Sequence, residues 1–404
     1  MTTSSNKENQ PLSENEVQQF RKETKGTANL NHFNNAGASL SPDIVVDTVI
    51  DYLQAEATIG GYEAEAKYKD QLDHTYDLIA QLINADKEEI AILESASAAW
   101  VIAFNGISFQ PGDEVITCEM EYVTNVIGLL HAEKTYGIVI KVIPNDEQGN
   151  FSLSALAEAI SPKTKLFAIT HIASGTGGIM PIIEIGAIAR KHGILYLLDA
   201  CQSAGHVPID VKEIGCDMLS VTGRKYLRAP RGTGFLFVKN EVRDQLKLVA
   251  VDGFNAQSVS TTDFKLRDDG KRFELYEKNR ALTLGLGKAV EYALNIGVDR
   301  IWDRIQFLSA LLRQKLQNID GVVVHDTGTQ KCGIVTFSVR GVDPASIKSN
   351  LGERKINVSV AWAKSTLYFM DRNHLKSVVR ASVHYYNTEE ELETLCSAVI
   401  ELIK

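Results

Sequence analysis

Between residues 85 and 240 the chain repeats one pattern, a short apolar run followed by a segment of helical periodicity. The runs are EIAILES (89–95), DEVITCE (113–119), GIVIKVIP (137–144), KLFAITH (165–171) and ILYLLDA (194–200). Between them lie ASAAWVIAFNGI, NVIGLLHAEKTYG, LSALAEAISP and PIIEIGAIARKHG. A strand, a helix and a second strand close by a right-handed crossover, which makes the sheet mainly parallel and covers both faces. An α/β sheet sandwiched by helices is therefore expected. Only a short turn separates MLSVTG from GFLFV, so that last pair can run antiparallel.

After residue 260 the rhythm changes. Two long amphipathic helices are expected across LYEKNRALTLGLGKAVEYALNIGVDRIWDRIQFLSALLRQKLQNI. Strands follow at GVVVHD and GIVTFSVR, then a helix at DPASIKSNLGER, the stretch SVVRASVHYYN and a closing helix capped by Thr388 with Glu391 three residues on. These readings divide the chain into three parts. Residues 1–28 are a mobile tail with one short helix near Glu14–Lys22, and 29–265 form a large α/β domain whose first residues can pack on the small one. Residues 266–404 form a smaller α+β domain.

Charge and cysteines narrow the function classes. A net charge of −9 argues against nucleic acid or an anionic membrane as partner, since either favours a basic face. No apolar run is long enough to span a bilayer, and the N-terminus lacks an apolar signal core. Cys118, Cys201, Cys216, Cys332 and Cys396 are scattered and lack C-x-x-C spacing, which speaks against disulfides or a zinc site and for a reducing cytoplasm. All five are read as small core hydrophobes.

Open α/β sheets bind ligands at the carboxyl ends of their strands. The segments there are SASAAW, MEYVTN, IASGTGG, CQSAGH with Asp199 before it, and TGRKYLRAPRG. Together they supply a lysine, a carboxylate, an arginine, a tyrosine, a glutamine and small hydroxyls. Pyridoxal phosphate needs such a set: a lysine for its aldehyde, a carboxylate to keep its ring nitrogen protonated, and a helix N-terminus with hydroxyls for its phosphate. Lys225 fits the first role and Asp199 the second. The start of the helix at Ala96 and Ser97, with Thr222 and Arg224, fits the third.

With those residues in view, the chain resembles the class V aminotransferase family of fold-type I pyridoxal-phosphate enzymes, over roughly residues 30–404. DACQSAGHVPID, TGRK, EYVTN, THIAS and VVRASVHYYNTEEEL carry the resemblance. It implies a seven-stranded-type sheet, a homodimer, an amino-acid substrate, Lys225 as catalytic residue, Tyr122 stacked over the cofactor ring and Gln202 at the ring oxygen. It further implies Arg380 at the substrate carboxylate, with His171, Ser174 and Tyr62 toward the substrate. Where desulfurases of the family carry a nucleophilic Cys, this chain reads INVSVAWAKSTLYFMDRNHLKSVVR, with none. NNAGASL, GGYEAEAK and TGRKYLRAPRGTG are similar to the branch containing hercynylcysteine sulfoxide lyase of ergothioneine biosynthesis. Glu277 aligns where desulfurases offer a partner-chain Thr to the phosphate.

The implied activity is a carbon–sulfur β-lyase on an S-substituted cysteine or its sulfoxide. The alternatives are a class V aminotransferase or epimerase, and a homologue that has kept the fold without catalysis. Arg228 and Arg231 have two readings, binding a carboxylated substrate tail or pairing with surface acids. Tyr62 and Glu63 either line the substrate mouth or begin a helix, and His171 is a core histidine if it is not at the site.

Overall fold

The computed structural model describes residues 10–403. Seven strands make the main sheet: β1 (Ile90–Leu93), β2 (Glu114–Cys118), β3 (Val139–Ile143), β4 (Thr164–Thr170), β5 (Leu195–Asp199), β6 (Met218–Thr222) and β7 (Gly234–Val238). Their order is β1-β7-β6-β5-β4-β2-β3. Only β7 is reversed, pairing antiparallel with both β6 and β1. Every expected apolar run forms a strand. The intervening helices, including Ala96–Gly106, Val123–Tyr136 and Ile182–His192, supply the crossovers.

Alternation along the strands shows both faces covered. In β4, Phe167 and Ile169 join one apolar core while Leu166 and Ala168 join the other; in β5, Tyr196 and Leu198 oppose Leu197 in the same way. A strand buried on both sides has no polar position to spare before its end, so its first free polar side chain falls at the carboxyl rim. In β5 that residue is Asp199.

The second body has a four-stranded antiparallel sheet, ordered Val322–Val324, Ile334–Val339, Ser377–Ser382, Ser359–Trp362. Behind it lie the long helix Val298–Gln317 and the closing helix Glu389–Ile403, whereas the other long helix, Arg280–Ile296, packs mainly on Asp43–Ile59 and Lys69–Ile83. Glu391 N–H donates to Thr388 Oγ1 at 3.3 Å and Thr388 N–H to a Glu391 carboxylate oxygen at 3.2 Å, a reciprocal cap at the start of that last helix. The strand Ser359–Trp362 and the hairpin Ala256–Val259/Phe264–Leu266 were not anticipated.

The N-terminal segment departs from its expected mobility. The helix Glu14–Lys22 forms where the sequence indicates, but it is docked: Leu12 and Val17 are buried in the core of the second body. Arg21 pairs with Glu391 at 2.7 Å, and Arg300 with Glu16 at 2.9 Å. Leu12, Val17 and Phe20 anchor it together with these ion pairs, an apolar density too low to register in composition. Residues 1–9 of the expected tail lie outside the described residues. Farther on, Asn31–His32 pairs with Ile356–Asn357, tying the start of the large domain to the second body.

Candidate active site

Lys225 lies in the turn after β6, buried to 7% exposure. Its Nζ donates to Cys201 Sγ at 3.2 Å and stands 5.9 Å from the centroid of the Tyr122 ring. Asp199 ends β5, next to Thr170 on one side and Ser220 on the other. Both its carboxylate oxygens are occupied: Cys201 N–H donates to Oδ1 and Asn125 Nδ2 to Oδ2, each at 2.8 Å.

Asn125 is a bridge. The same amide group donates to Glu121 Oε1 at 2.8 Å, so a second buried carboxyl stands behind Asp199. Burial first, and then the charge of Asp199, push the Glu121 pKa up to about 8. Two carboxyls that share the Asn125 amide in a dry site titrate as a pair, and burial disfavours both being charged at once. Burial also raises the pKa of Asp199, against the bonds from Asn125 and Cys201 and the charge of Lys225. A cationic ring nitrogen beside Asp199 supplies the opposite charge that this buried carboxylate lacks.

The turn that follows β5 carries Gln202, 3% exposed. Its Nε2 donates to Ala36 O at 3.1 Å, while its Oε1 is buried without a partner. Orphaned buried polar atoms are costly, and beside a cleft such an atom leaves a bond for a ligand to complete. Arg224 Nε is a second such atom. Its Nη1 donates to Thr222 Oγ1 at 3.0 Å.

Thr222 pairs across the sheet with Gly234. A Cβ on Gly234 would fall 2.8 Å from Ser95 C and 3.0 Å from Ala96 N. This close approach, which glycine alone permits, sets Thr222 beside the start of the Ala96–Gly106 helix. Ser95 caps that helix through Ala98 N–H at 3.1 Å, and Ser97 is exposed in its first turn. The free N–H groups of the first turn, Thr222 and Arg224 form an anion cradle. The donor set and the orphaned atoms fit a phosphorylated pyridine aldehyde.

Arg380 approaches from the second body, half-buried. Nε donates to Ser359 Oγ at 3.1 Å and Nη1 to Ser174 O at 3.0 Å, and Ser174 Oγ is a buried orphan. No carboxylate among the described residues pairs with Arg380, so Nη2 remains to be used. Ser359, absent from the sequence reading, positions this guanidinium.

Four expectations are corrected. His171 is buried, but it lines a separate cavity of about 640 Å³ with Met180, Trp302 and Gln330. Its Nδ1 lacks a partner, and burial lowers its pKa to about 3. Position 171 follows Thr170, whose neighbour across the sheet is Asp199, and strand alternation turns it to the opposite face. Arg228 serves neither a substrate tail nor a surface acid. It is fully buried, donating to Leu40 O at 2.7 Å, to Thr24 Oγ1 at 2.6 Å and to the Tyr385 hydroxyl. Cys201 differs from the other four cysteines in being only partly buried, and it touches Lys225 instead of a core. Tyr62 is 74% exposed on the helix Gly61–Lys67, beside Tyr276, and no hydrogen bond links it to the Lys225 group. Arg231, Glu63 and Glu277 are also exposed.

Glu121 and Asn125 were missed as functional residues although the motif EYVTN contains them. Their separation of four residues was the available signal, because it places both on one side of a helix start.

Residues 31–395 match the family Aminotransferase class-V. A probable cysteine desulfurase of Methanothermobacter thermautotrophicus is 30% identical over 373 residues, covering 91% of this chain and 93% of that protein. The apo structure of a cysteine desulfurase from Thermococcus onnurineus NA1 superimposes with a TM-score of 0.90 at 27% identity, covering 96% and 98% of the two chains. The cystine C–S lyase C-DES, solved with its product cysteine persulfide, has a TM-score of 0.86 at 22% identity, with 94% and 99% covered. That last likeness is one of fold.

Proposed function

Because this chain belongs to the class V aminotransferase family, we propose that it is a pyridoxal-phosphate-dependent carbon–sulfur lyase acting on an S-substituted cysteine or cysteine sulfoxide. The observation that carries the proposal is Lys225 buried beside Asp199, whose two oxygens are already braced by Cys201 and Asn125. A carboxylate held that way cannot swing away from a ring nitrogen, and it favours the protonated ring.

In this reading the first turn of the Ala96–Gly106 helix, Ser97, Thr222 and Arg224 hold the phosphate. Tyr122 would flank the ring, and Gln202 Oε1, a buried acceptor without a partner, would take a hydrogen bond from a donor of the bound group. When bound, the cofactor supplies an electron sink for charge developing at the substrate Cα. Arg380 uses its spare Nη2 to hold the α-carboxylate, and the Ser359 and Ser174 contacts fix its plane. Lys225 takes the Cα proton as general base, and the Cβ–S electron pair leaves with the sulfur fragment. With a sulfur leaving group on Cβ, elimination ends in pyruvate and ammonia.

The relatives are named desulfurases, yet the segment where such enzymes carry a nucleophilic Cys is different here. It folds as the turn Ala363–Thr366 and the helix Leu367–Arg372, contains no Cys, and is latched to Glu119 through Phe369 N–H at 3.0 Å and Arg372 at 2.6 Å. This favours release of the sulfur fragment over its capture on that segment. A sulfoxide of the hercynylcysteine type is the finer form of the proposal and rests on the sequence stretches alone. The helix Asp43–Ile59 exposes Ile44, Val46, Ile50, Leu53 and Ile59, an apolar surface that supports a homodimer.

The test is pyruvate release from an S-substituted cysteine with no 2-oxo acid added. Pyruvate from the parent protein and none from Lys225→Ala is the expected result. A 2-oxo-acid requirement, or equal pyruvate from the variant, overturns the proposal.

A further inference from the structure

We infer that Cys201 is a positioning residue for Lys225, its thiol receiving a hydrogen bond that sets where the amine rests whenever it is not covalently engaged. This rests on the reading of Lys225 as the central amine of the site.

Three observations support it. First, the Nζ-to-Sγ distance is 3.2 Å, a normal contact for sulfur as acceptor. Second, the backbone that carries the thiol is held in place, because Cys201 N–H is bonded to Asp199 Oδ1 at 2.8 Å. One short turn therefore ties the carboxylate to the backbone from which the thiol projects. Third, both Asp199 oxygens are committed to Asn125 and to Cys201 N–H, and no carboxylate among the described residues forms an ion pair with Lys225. An ion pair with Asp199 would trap the amine away from a substrate proton. A thiol is a weak acceptor, so it can hold the amine and still release it.

The titratable and charged groups around the pair are few. Asp199 stands behind Cys201 with Glu121 beyond it, Arg224 precedes Lys225 in the chain, and the Tyr122 ring lies across from Nζ. Burial raises the thiol pKa, and the charge on Lys225 works against that rise. The two groups thus report on each other: removing the cation at 225 makes the thiolate at 201 harder to form.

The first measurement uses the full chain freed of cofactor. Iodoacetamide alkylation of Cys201, followed by peptide mapping from about pH 6 to about pH 10, compares the parent with Lys225→Met and Lys225→Arg. The expected result is a roughly tenfold slower reaction at fixed pH in the Met variant, equivalent to one pKa unit, with the Arg variant near the parent. The second uses the loaded protein and the pH profile of α-proton exchange from alanine, which has no leaving group. Cys201→Ala should shift that profile and Cys201→Ser should retain it, since a hydroxyl still accepts. A merely structural role for the thiol would change the rate equally at every pH. An alkylation profile unaltered by Lys225→Met, or a Cys201→Ala exchange profile of unaltered shape, overturns the inference. Borohydride reduction that leaves no pyridoxyl group on Lys225 would instead refute the proposed function, and the alkylation comparison would still be decisive for the pair.

Discussion

Arg228 and Arg380 are both withdrawn from solvent to different degrees, both lack a carboxylate partner, and they do opposite things. Arg228 has a bond on each guanidinium nitrogen: Nε to Leu40 O, Nη2 to Thr24 Oγ1, Nη1 to the Tyr385 hydroxyl. Its guanidinium carbon also lies 4.5 Å from the centre of the Tyr386 ring and 5.2 Å from that of Tyr385. This arginine joins the N-terminal segment to the C-terminal body. Arg380 has bonded only Nε and Nη1, and no acceptor among the described residues meets Nη2. A guanidinium with all three nitrogens bonded inside the protein is structural, whereas one with an unbonded nitrogen is open to an anion. Being an unpaired arginine is not the signal; unspent hydrogen-bonding capacity is.

The sharpest way to break this contrast is to truncate both. Arg380→Ala should lower kcat/KM for the amino-acid substrate by about 10²- to 10³-fold while leaving the melting temperature nearly unchanged. Arg228→Ala should do the reverse, costing about 3 kcal/mol of stability in denaturant melts with substrate KM near the parent value. If Arg228→Ala weakens substrate binding without loss of stability, the distinction fails.

Glu121 and the buried histidines extend the comparison to pH. Glu121 has a folded pKa near 8, above its unfolded value, so its contribution to stability is present below about pH 4.5 and is lost as pH rises through 8. Glu121→Gln mimics the protonated form, and in the cofactor-free protein it should flatten that loss in melts taken across the same range. His206 behaves in the opposite sense, because burial lowers its pKa to about 3. Its Nδ1–H donates to Gln202 O and its Nε2 accepts from Gly333 N–H, each at 2.9 Å, which requires the neutral ring. The unfolded chain binds the proton first, so stability falls as pH drops from about 6.5 toward 3.

The smallest effects lie at single positions. Arg228 adopts φ +61°, in the left-handed region. Arg228→Gly should therefore be about 1 kcal/mol less destabilising than Arg228→Ala, measured by the difference in denaturation midpoints. His171 has no partner for Nδ1, so His171→Leu should change stability by less than about 1 kcal/mol, whereas His206→Leu, which abandons two bonds, should cost more.

Much of this molecule was legible along the chain. The alternation of apolar runs and helices determined the sheet, its reversed last strand and its two covered faces, because those follow from local periodicity and loop length. Asp199, Lys225, Thr222, Arg224 and the start of the Ala96–Gly106 helix were singled out in advance as the candidate set, because strand ends are where polar side chains emerge from a doubly buried sheet. Tertiary structure decided the rest. It determined that His171 turns away into another cavity, that Arg228 is caged by tyrosines, that Leu12 and Val17 dock the N-terminal segment, and that Cys201 meets Lys225. Each of these depends on which residues distant in sequence supply the acceptor, the aromatic face or the apolar floor. Periodicity records where a side chain points; only the folded chain determines what it meets there.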